Sequence, residues 1–265
     1  MIGSIIGDIV GSVYEFANIK TKDFEFFGPE CCYTDDSILT IATADWLLHG
    51  GDVAHYYSRY GNRFPLPMGG YGGNFAMWLW RSEHQGDYSA YNSYGNGSAM
   101  RVGPIGWAFN TVEDVLAKAR ESAECTHNHP EGIKGAQATA LAIFMARTGS
   151  SKSDIRRAVE ELGYRLDFTC DSIRASYGWE ASCQGTVPQA IVAFLGGKDF
   201  EDSIRNAISI GGDSDTLTCI TGSIAEAFFG VPATMSEHAL SLLPDELRQV
   251  VIEFEETFGQ KVAPN

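Results

Sequence analysis

The segment Gly211-Gly212-Asp213-Ser214-Asp215-Thr216 runs without a break into Leu217-Thr218-Cys219-Ile220-Thr221-Gly222-Ser223-Ile224-Ala225-Glu226-Ala227-Phe228-Phe229, and this junction limits what the chain can become. The two glycines stop the preceding element, and apolar residues at helical spacing after Asp and Ser mark a helix start. Asp213 and Thr216 then share one face of the first turn. A carboxylate at a helix N-terminus suits the dipole. Two carboxylates at the mouth of a helix this apolar cost free energy unless protons, donors or a cation neutralise them. Oxygen donors of this kind suit Mg²⁺, Mn²⁺ or Ca²⁺.

A second cluster has the same construction. Tyr33-Thr34-Asp35-Asp36-Ser37 loads a hydroxyl and two acids onto the start of Ile38-Leu39-Thr40-Ile41-Ala42-Thr43-Ala44-Asp45-Trp46-Leu47-Leu48. Taken singly, each cluster reads as an N-cap with acids complementing the dipole. Taken together, with a Gly-Gly entry and apolar rather than amphipathic helices behind them, they point to one shared dinuclear metal site.

The rest of the chain fits one helical domain spanning residues 1–265. No linker, low-complexity tract or short-period repeat interrupts the sequence, and 265 residues suffice for a sizeable core. Near the start, small residues at positions 3, 4, 7, 8 and 11 give a helix with one flat face able to lie close against another. On that helix Asp8 and Glu15 fall about two turns apart on one side, within reach of a site beside the face. Residues 20–32 read as a loop. Helices are expected over about 35–48, 53–59, 75–80, 111–123, 132–148, 151–163, 172–177, 187–195, 200–210, 237–243 and 245–258. Sustained strand alternation is missing.

Two loops offer backbone amides to a ligand. Met68-Gly69-Gly70-Tyr71-Gly72-Gly73 permits close approach of the main chain, and Asn96-Gly97-Ser98-Ala99-Met100 opens a helix that Pro104 interrupts or restarts. The second loop is a candidate phosphate cradle. His127 and His129 stand before Pro130 at another helix mouth, where contact with a polar ligand or capping accounts for them better than zinc, since no paired Cys or His partners them.

Charge and composition exclude several classes. With 19 Lys+Arg against 34 Asp+Glu, the net charge of −15 lacks the basic footprint of a nucleic-acid binder. A phosphorylated ligand stays possible, because helix N-termini and metals hold phosphate without a basic surface. No apolar run reaches membrane-spanning length, and the opening segment lacks a basic n-region. The six cysteines form no Cys-x-x-Cys pair, which fits reduced thiols in a cytoplasmic protein.

The full set of motifs resembles the ADP-ribosylglycohydrolases, a family that includes the dinitrogenase reductase-activating glycohydrolase and the ADP-ribosylarginine and ADP-ribosylserine hydrolases. It comprises Gly7-Asp8 with Gly11 and Glu15, Thr34-Asp35-Asp36-Ser37, Gly70-Tyr71-Gly72, Asn96-Gly97-Ser98-Ala99-Met100-Arg101, Thr126-His127 with His129, and Gly211 to Thr216, all in order along the chain. The resemblance implies an all-α orthogonal multi-helix bundle with a dinuclear Mg²⁺ or Mn²⁺ cleft. It implies Thr34, Asp35, Asp36, Asp213, Asp215 and Thr216 as metal ligands, with Asp215 the bridge. It assigns Gly70, Tyr71, Gly72, Asn96, Gly97, Ser98, Met100 and His127 to the substrate.

The implied reaction is hydrolysis of the C1″ bond of an ADP-ribosylated protein or small molecule, releasing ADP-ribose. Glu15, Asp35 and Asp36 are the catalytic acids, and either Glu15 or Asp36 takes the proton of water. Two rival readings are an ADP-ribose binder without turnover, and a hydrolase of another phosphorylated nucleoside.

Overall fold

Glycines at positions 3, 7 and 11 let the first helix, α1 (Ile2–Ser12), lie backbone to backbone against the helix that follows Gly211-Gly212. The computed structural model describes residues 1–259; residues 260–265, the end of the expected domain 1–265, lie outside the described residues. After α1 come α2 (Asp35–His49), α3 (Val53–Arg63), α4 (Gly73–Gln85), α5 (Gly97–Met100), α6 (Gly103–Ala108), α7 (Val112–Glu124) and α8 (Pro130–Arg147). The second half holds α9 (Lys152–Glu161), α10 (Cys170–Ile173), α11 (Cys183–Gly196), α12 (Phe200–Ile210), α13 (Ser214–Phe229), α14 (Ala233–Leu242) and α15 (Asp245–Phe258). Among the described residues there is no strand, only isolated bridges joining Thr34 to Met68 and Gly95 to Ser182. The expected all-α class is the one the chain adopts.

Helices α1 and α13 form the centre. Every residue of α1 is buried, and so is α13 from Ser214 to Ala227. A Cβ added at Gly7 would stand 2.0 Å from the Thr218 carbonyl oxygen, and one at Gly222 would stand 2.2 Å from the Gly3 carbonyl oxygen. The Thr218 hydroxyl donates to the Gly7 carbonyl at 2.6 Å, a bond that only such close approach permits. Around this pair pack α2, α8, α11 and α12. Ile5, Ile6, Ile9, Ile38, Leu217, Ile220 and Ile224 join one continuous apolar core.

Several boundaries differ from those read in the sequence. The helix carrying Asp8 stops at Ser12, so Glu15 lies in the turn beyond it rather than on its face. Side chains take over the main-chain bonds there: the Ser12 hydroxyl donates to the Ile9 carbonyl and accepts from the Cys32 amide, while the Asn18 amide donates to the Tyr14 and Glu15 carbonyls. Helix α4 runs on to Gln85, where Gly86 in the left-handed conformation (φ 64°) ends it. Helix α11 starts at Cys183 with Ser182 as its cap and takes Pro188 into its second turn, although proline pointed to a later start. Pro104 behaves as expected and restarts the chain in α6. No helix among the described residues is long and apolar enough to cross a membrane.

Replacing Gly7 with alanine tests the α1–α13 contact. Helix propensity alone would stabilise the variant by about 0.5–1 kcal/mol, whereas overpacking against the Thr218 carbonyl costs about 1–3 kcal/mol. The expected outcome is a lower urea midpoint; a midpoint equal to or above that of the wild type would show that the two helices have slack.

Candidate active site

The mouth of α2 is built on Asp8. Its carboxylate accepts four hydrogen bonds: from the Thr34 amide (2.9 Å) and hydroxyl (2.6 Å), and from the Ser37 amide (3.0 Å) and hydroxyl. The Thr34 hydroxyl in turn accepts from the Asp36 amide and caps the helix. Asp8 therefore fixes the first turn of α2 to α1, and Thr34 is fully buried between them. From this turn Asp35 and Asp36 reach the wall of a cavity of about 440 Å³. Asp8 was noted in the sequence as within reach of a site; its role as template for the Thr34 turn needed the fold.

The mouth of α13 faces it. Gly211 and Gly212, both in the left-handed region (φ 70° and 89°), turn the chain so that Asp213 becomes the N-cap and Asp215 stands in the first turn. A side chain at Gly212 would also strike the Tyr177 ring, 2.5 Å from its Cβ position. Thr216 joins the two mouths, its hydroxyl donating to Asp36 at 3.2 Å across 180 residues of sequence. Asn96 donates to Asp213 at 2.7 Å. One carboxylate oxygen each from Glu15, Asp213 and Asp215 lie within 4.8 Å of one another. Glu15 is delivered there by Asn18, which exchanges two hydrogen bonds with the Gly212 main chain (2.8 and 2.7 Å). Gly69 (φ 77°) closes over Glu15, and its Cβ position is 2.5 Å from a Glu15 oxygen.

Burial and crowding dominate the electrostatics. Burial, followed by the charges of Asp8 and neighbouring carboxylates, pushes Asp35 and Asp36 well above the usual range. Asp215 is raised in the same way, by burial and then by Asp213 and Asp36. Burial, then Asp213 and Asp8, pushes Glu15 up to about 7. Burial raises Asp8 to about 6 against the pull of its four donors. One oxygen of Asp36, Oδ1, is buried with no hydrogen-bond partner. A cluster of this kind holds protons or takes cations, and its all-oxygen donor set fits hard divalent ions.

The remaining walls come from the two loops and from α8's approach. Gly70, Tyr71 and Gly72 line the cavity, and so do Asn96, Gly97 and Met100. Ser98 sits behind that wall: it is fully buried, and its hydroxyl donates to the Gly132 carbonyl at 2.7 Å. His127 lines the cavity, and burial, reinforced by Arg101, drives its pKa well below the ordinary value, so the imidazole is neutral. Arg101 donates to the Thr126 hydroxyl (2.7 Å), which pairs with His127 Nδ1 at 2.8 Å. That chain leaves the Thr126 proton free to point at Nδ1, an arrangement that places the imidazole proton on Nε2, beside Gly97. His129 caps α8 by accepting from the Glu131 amide.

Several lining residues fall outside the expected site set, among them Arg101, Phe16 and Trp179. Arg101 is fully buried over the Tyr57 ring at 3.9 Å, with Nε and Nη1 unpartnered. Its position one residue past Met100 was the available signal. Phe16 and Trp179 lie at the rim, and no sequence pattern brings those two positions together.

An all-α frame with two acidic helix mouths converging on one cavity defines a carboxylate-lined ligand site. The family model for ADP-ribosylglycohydrolase matches residues 1–263, and the chain belongs to that family. It is 26% identical to the ADP-ribosylhydrolase ARH3 of Bos taurus, over 87% of this chain and 84% of that one. It is 27% identical to the ADP-ribosylarginine hydrolase Tri1 of Pseudomonas putida, over 87% of this chain and 70% of that one. A solved structure described as an ADP-ribosylglycohydrolase-related protein complex shares the fold with a TM-score of 0.72 at 24% identity, covering 96% of this chain and 95% of that chain.

Two outcomes follow from the crowded carboxylates. Asp215→Asn removes a buried carboxyl that must be either charged or protonated at a cost, so the metal-free variant is expected to melt above the metal-free wild type and to lose the melting shift expected of the wild type with Mn²⁺ or Mg²⁺. In the wild type, saturation at a hundredfold over Kd adds about 2.7 kcal/mol; equal metal-induced shifts in both proteins, read by thermal melting, would remove Asp215 from the ligand set. The pH dependence has a defined sign. Glu15 and Asp8 have raised folded pKa values, so their stabilising term is complete below the unfolded carboxylate range and is lost as pH rises through about 6 and about 7. Urea midpoints of the chelated protein therefore fall between about pH 5 and about pH 8, and a rise would contradict the assignment.

Proposed function

We propose that the chain hydrolyses the C1″ bond of ADP-ribosyl groups in a divalent-metal-dependent reaction, releasing ADP-ribose. The observation that carries this reading is the unpartnered, buried Asp36 Oδ1 among the converging carboxylates of α2 and α13. Mg²⁺ or Mn²⁺ held by Asp35, Asp36, Asp213, Asp215 and Thr216 would supply a Lewis acid for water and ribose hydroxyls. Two ions are the number the paired mouths suggest. Thr34 enters that set through its place in the α2 turn, its hydroxyl already shared with Asp8 and the Asp36 amide.

The chain's own groups divide the remaining work. Asn96, Gly97, Met100 and the Gly70–Gly72 loop line the path for the diphosphate and distal ribose, with Ser98 bracing it from behind. His127 offers Nε2–H, and Arg101 behind it supplies a fixed positive charge for the phosphates. Glu15, poised near 7 and close to Asp213 and Asp215, accepts the proton of the attacking water; Asp36 is the other acid placed for that step. The carboxylates face the oxocarbenium-like transition state and stabilise its charge. The hydroxyl of water is added at C1″ and the acceptor leaves with a proton. ADP-ribosylated proteins or small molecules are the substrates, and six free cysteines suit a cytoplasmic location.

Release of ADP-ribose from arginine-linked and serine-linked ADP-ribosyl peptides tests this. Turnover should need Mg²⁺ or Mn²⁺, vanish with chelator and in Asp215→Ala, and fall on the order of 10²–10⁴-fold in Glu15→Gln. Turnover indifferent to chelator would defeat the metal mechanism, and ADP-ribose binding without turnover would make the chain a binder.

A further inference from the structure

Phe16 and Trp179 stack at 5.5 Å with an 18° angle between their rings, yet remain 74% and 54% exposed. Scattered exposed aromatics call for no explanation. These two line the cavity together from distant parts of the chain, and both are anchored. Asn18 ties the Phe16 turn to Gly212, and Lys20 donates to the carbonyls of Tyr177 (2.6 Å) and Ile210, drawing the segment before Trp179 against the same turn. The stack is therefore held next to Glu15 at the acidic side of the cavity. Arg101, the cationic residue of the wall, and the neutral imidazole of His127 are both buried and engaged with Thr126.

An open aromatic face beside half-buried acids selects a planar cation. Aromatic faces attract guanidinium groups, which also stack on them. A guanidinium stays planar and charged when one nitrogen carries a ribosyl group, whereas a serine hydroxyl offers neither plane nor charge. We propose that Phe16 and Trp179, with Glu15 beside them, form the acceptor-side subsite and take a guanidinium, so that the preferred substrate carries ADP-ribose on an arginine side chain. This rests on the hydrolase reading for its catalytic consequence, but not for its binding consequence.

The test compares wild type, Trp179→Ala, Phe16→Ala and Trp179→Phe. Calorimetry in chelator, where no turnover occurs, gives the affinities for ADP-ribosylarginine and for ADP-ribose; kcat/KM is measured with Mn²⁺ on arginine-linked and serine-linked peptides of one sequence. Wild type should bind ADP-ribosylarginine more tightly than ADP-ribose and turn over the arginine linkage faster. Both alanine variants should lower each ratio about 3- to 30-fold, and Trp179→Phe should restore most of the loss. Equal ratios in wild type and the alanine variants, or a preference for serine, overturn the subsite. If neither peptide is cleaved while the binding ratio still depends on Trp179, the hydrolase reading fails and the guanidinium subsite stands.

Discussion

Close approach of α1 and α13 is the contact on which the rest depends. Gly3, Gly7, Gly11 and Gly222 bring two main chains within reach of the Thr218–Gly7 hydrogen bond. That separation sets where Asp8 on α1 stands relative to Asp215 at the start of α13. Asp8 then places the Thr34–Ser37 turn, so the two acidic mouths are registered through one helix pair. Looser packing here would shift every carboxylate in the site.

The acids of the site do different work. Asp8 gives its charge to four donors from the protein and serves as a template. Asp36 keeps one oxygen without a partner, and Asp215 is raised by burial and by its neighbours. The four donors replace part of the hydration Asp8 has lost, while burial still raises its pKa to about 6. The others are left short of compensation, which is the condition a cation relieves.

Much of this was legible in the sequence, because helix mouths are local. Gly-Gly before Asp213, Thr34 before two acids, and the small-residue spacing of 3, 7 and 11 each state a backbone requirement within a few residues. What escaped depends on long-range bonds. The end of α1 at Ser12 is decided by Ser12, Asn18 and Gly212, and no helical period encodes that agreement. Ser98 looked like part of a phosphate loop, but its side-chain direction follows from Gly132 on another helix. The Phe16–Trp179 stack has no sequence signature, since each ring alone is only an exposed aromatic.

The join between Thr216 and Asp36 spans 180 residues, and the Thr218–Gly7 bond spans 211. Contacts of that separation form late, after shorter-range helix pairs such as α7 with α8. During synthesis, a growing chain therefore exposes the Thr34-Asp35-Asp36 turn long before the second mouth exists. Only emergence of α13 from the ribosome can complete the acidic cluster, so nascent chains carry half of the carboxylate site.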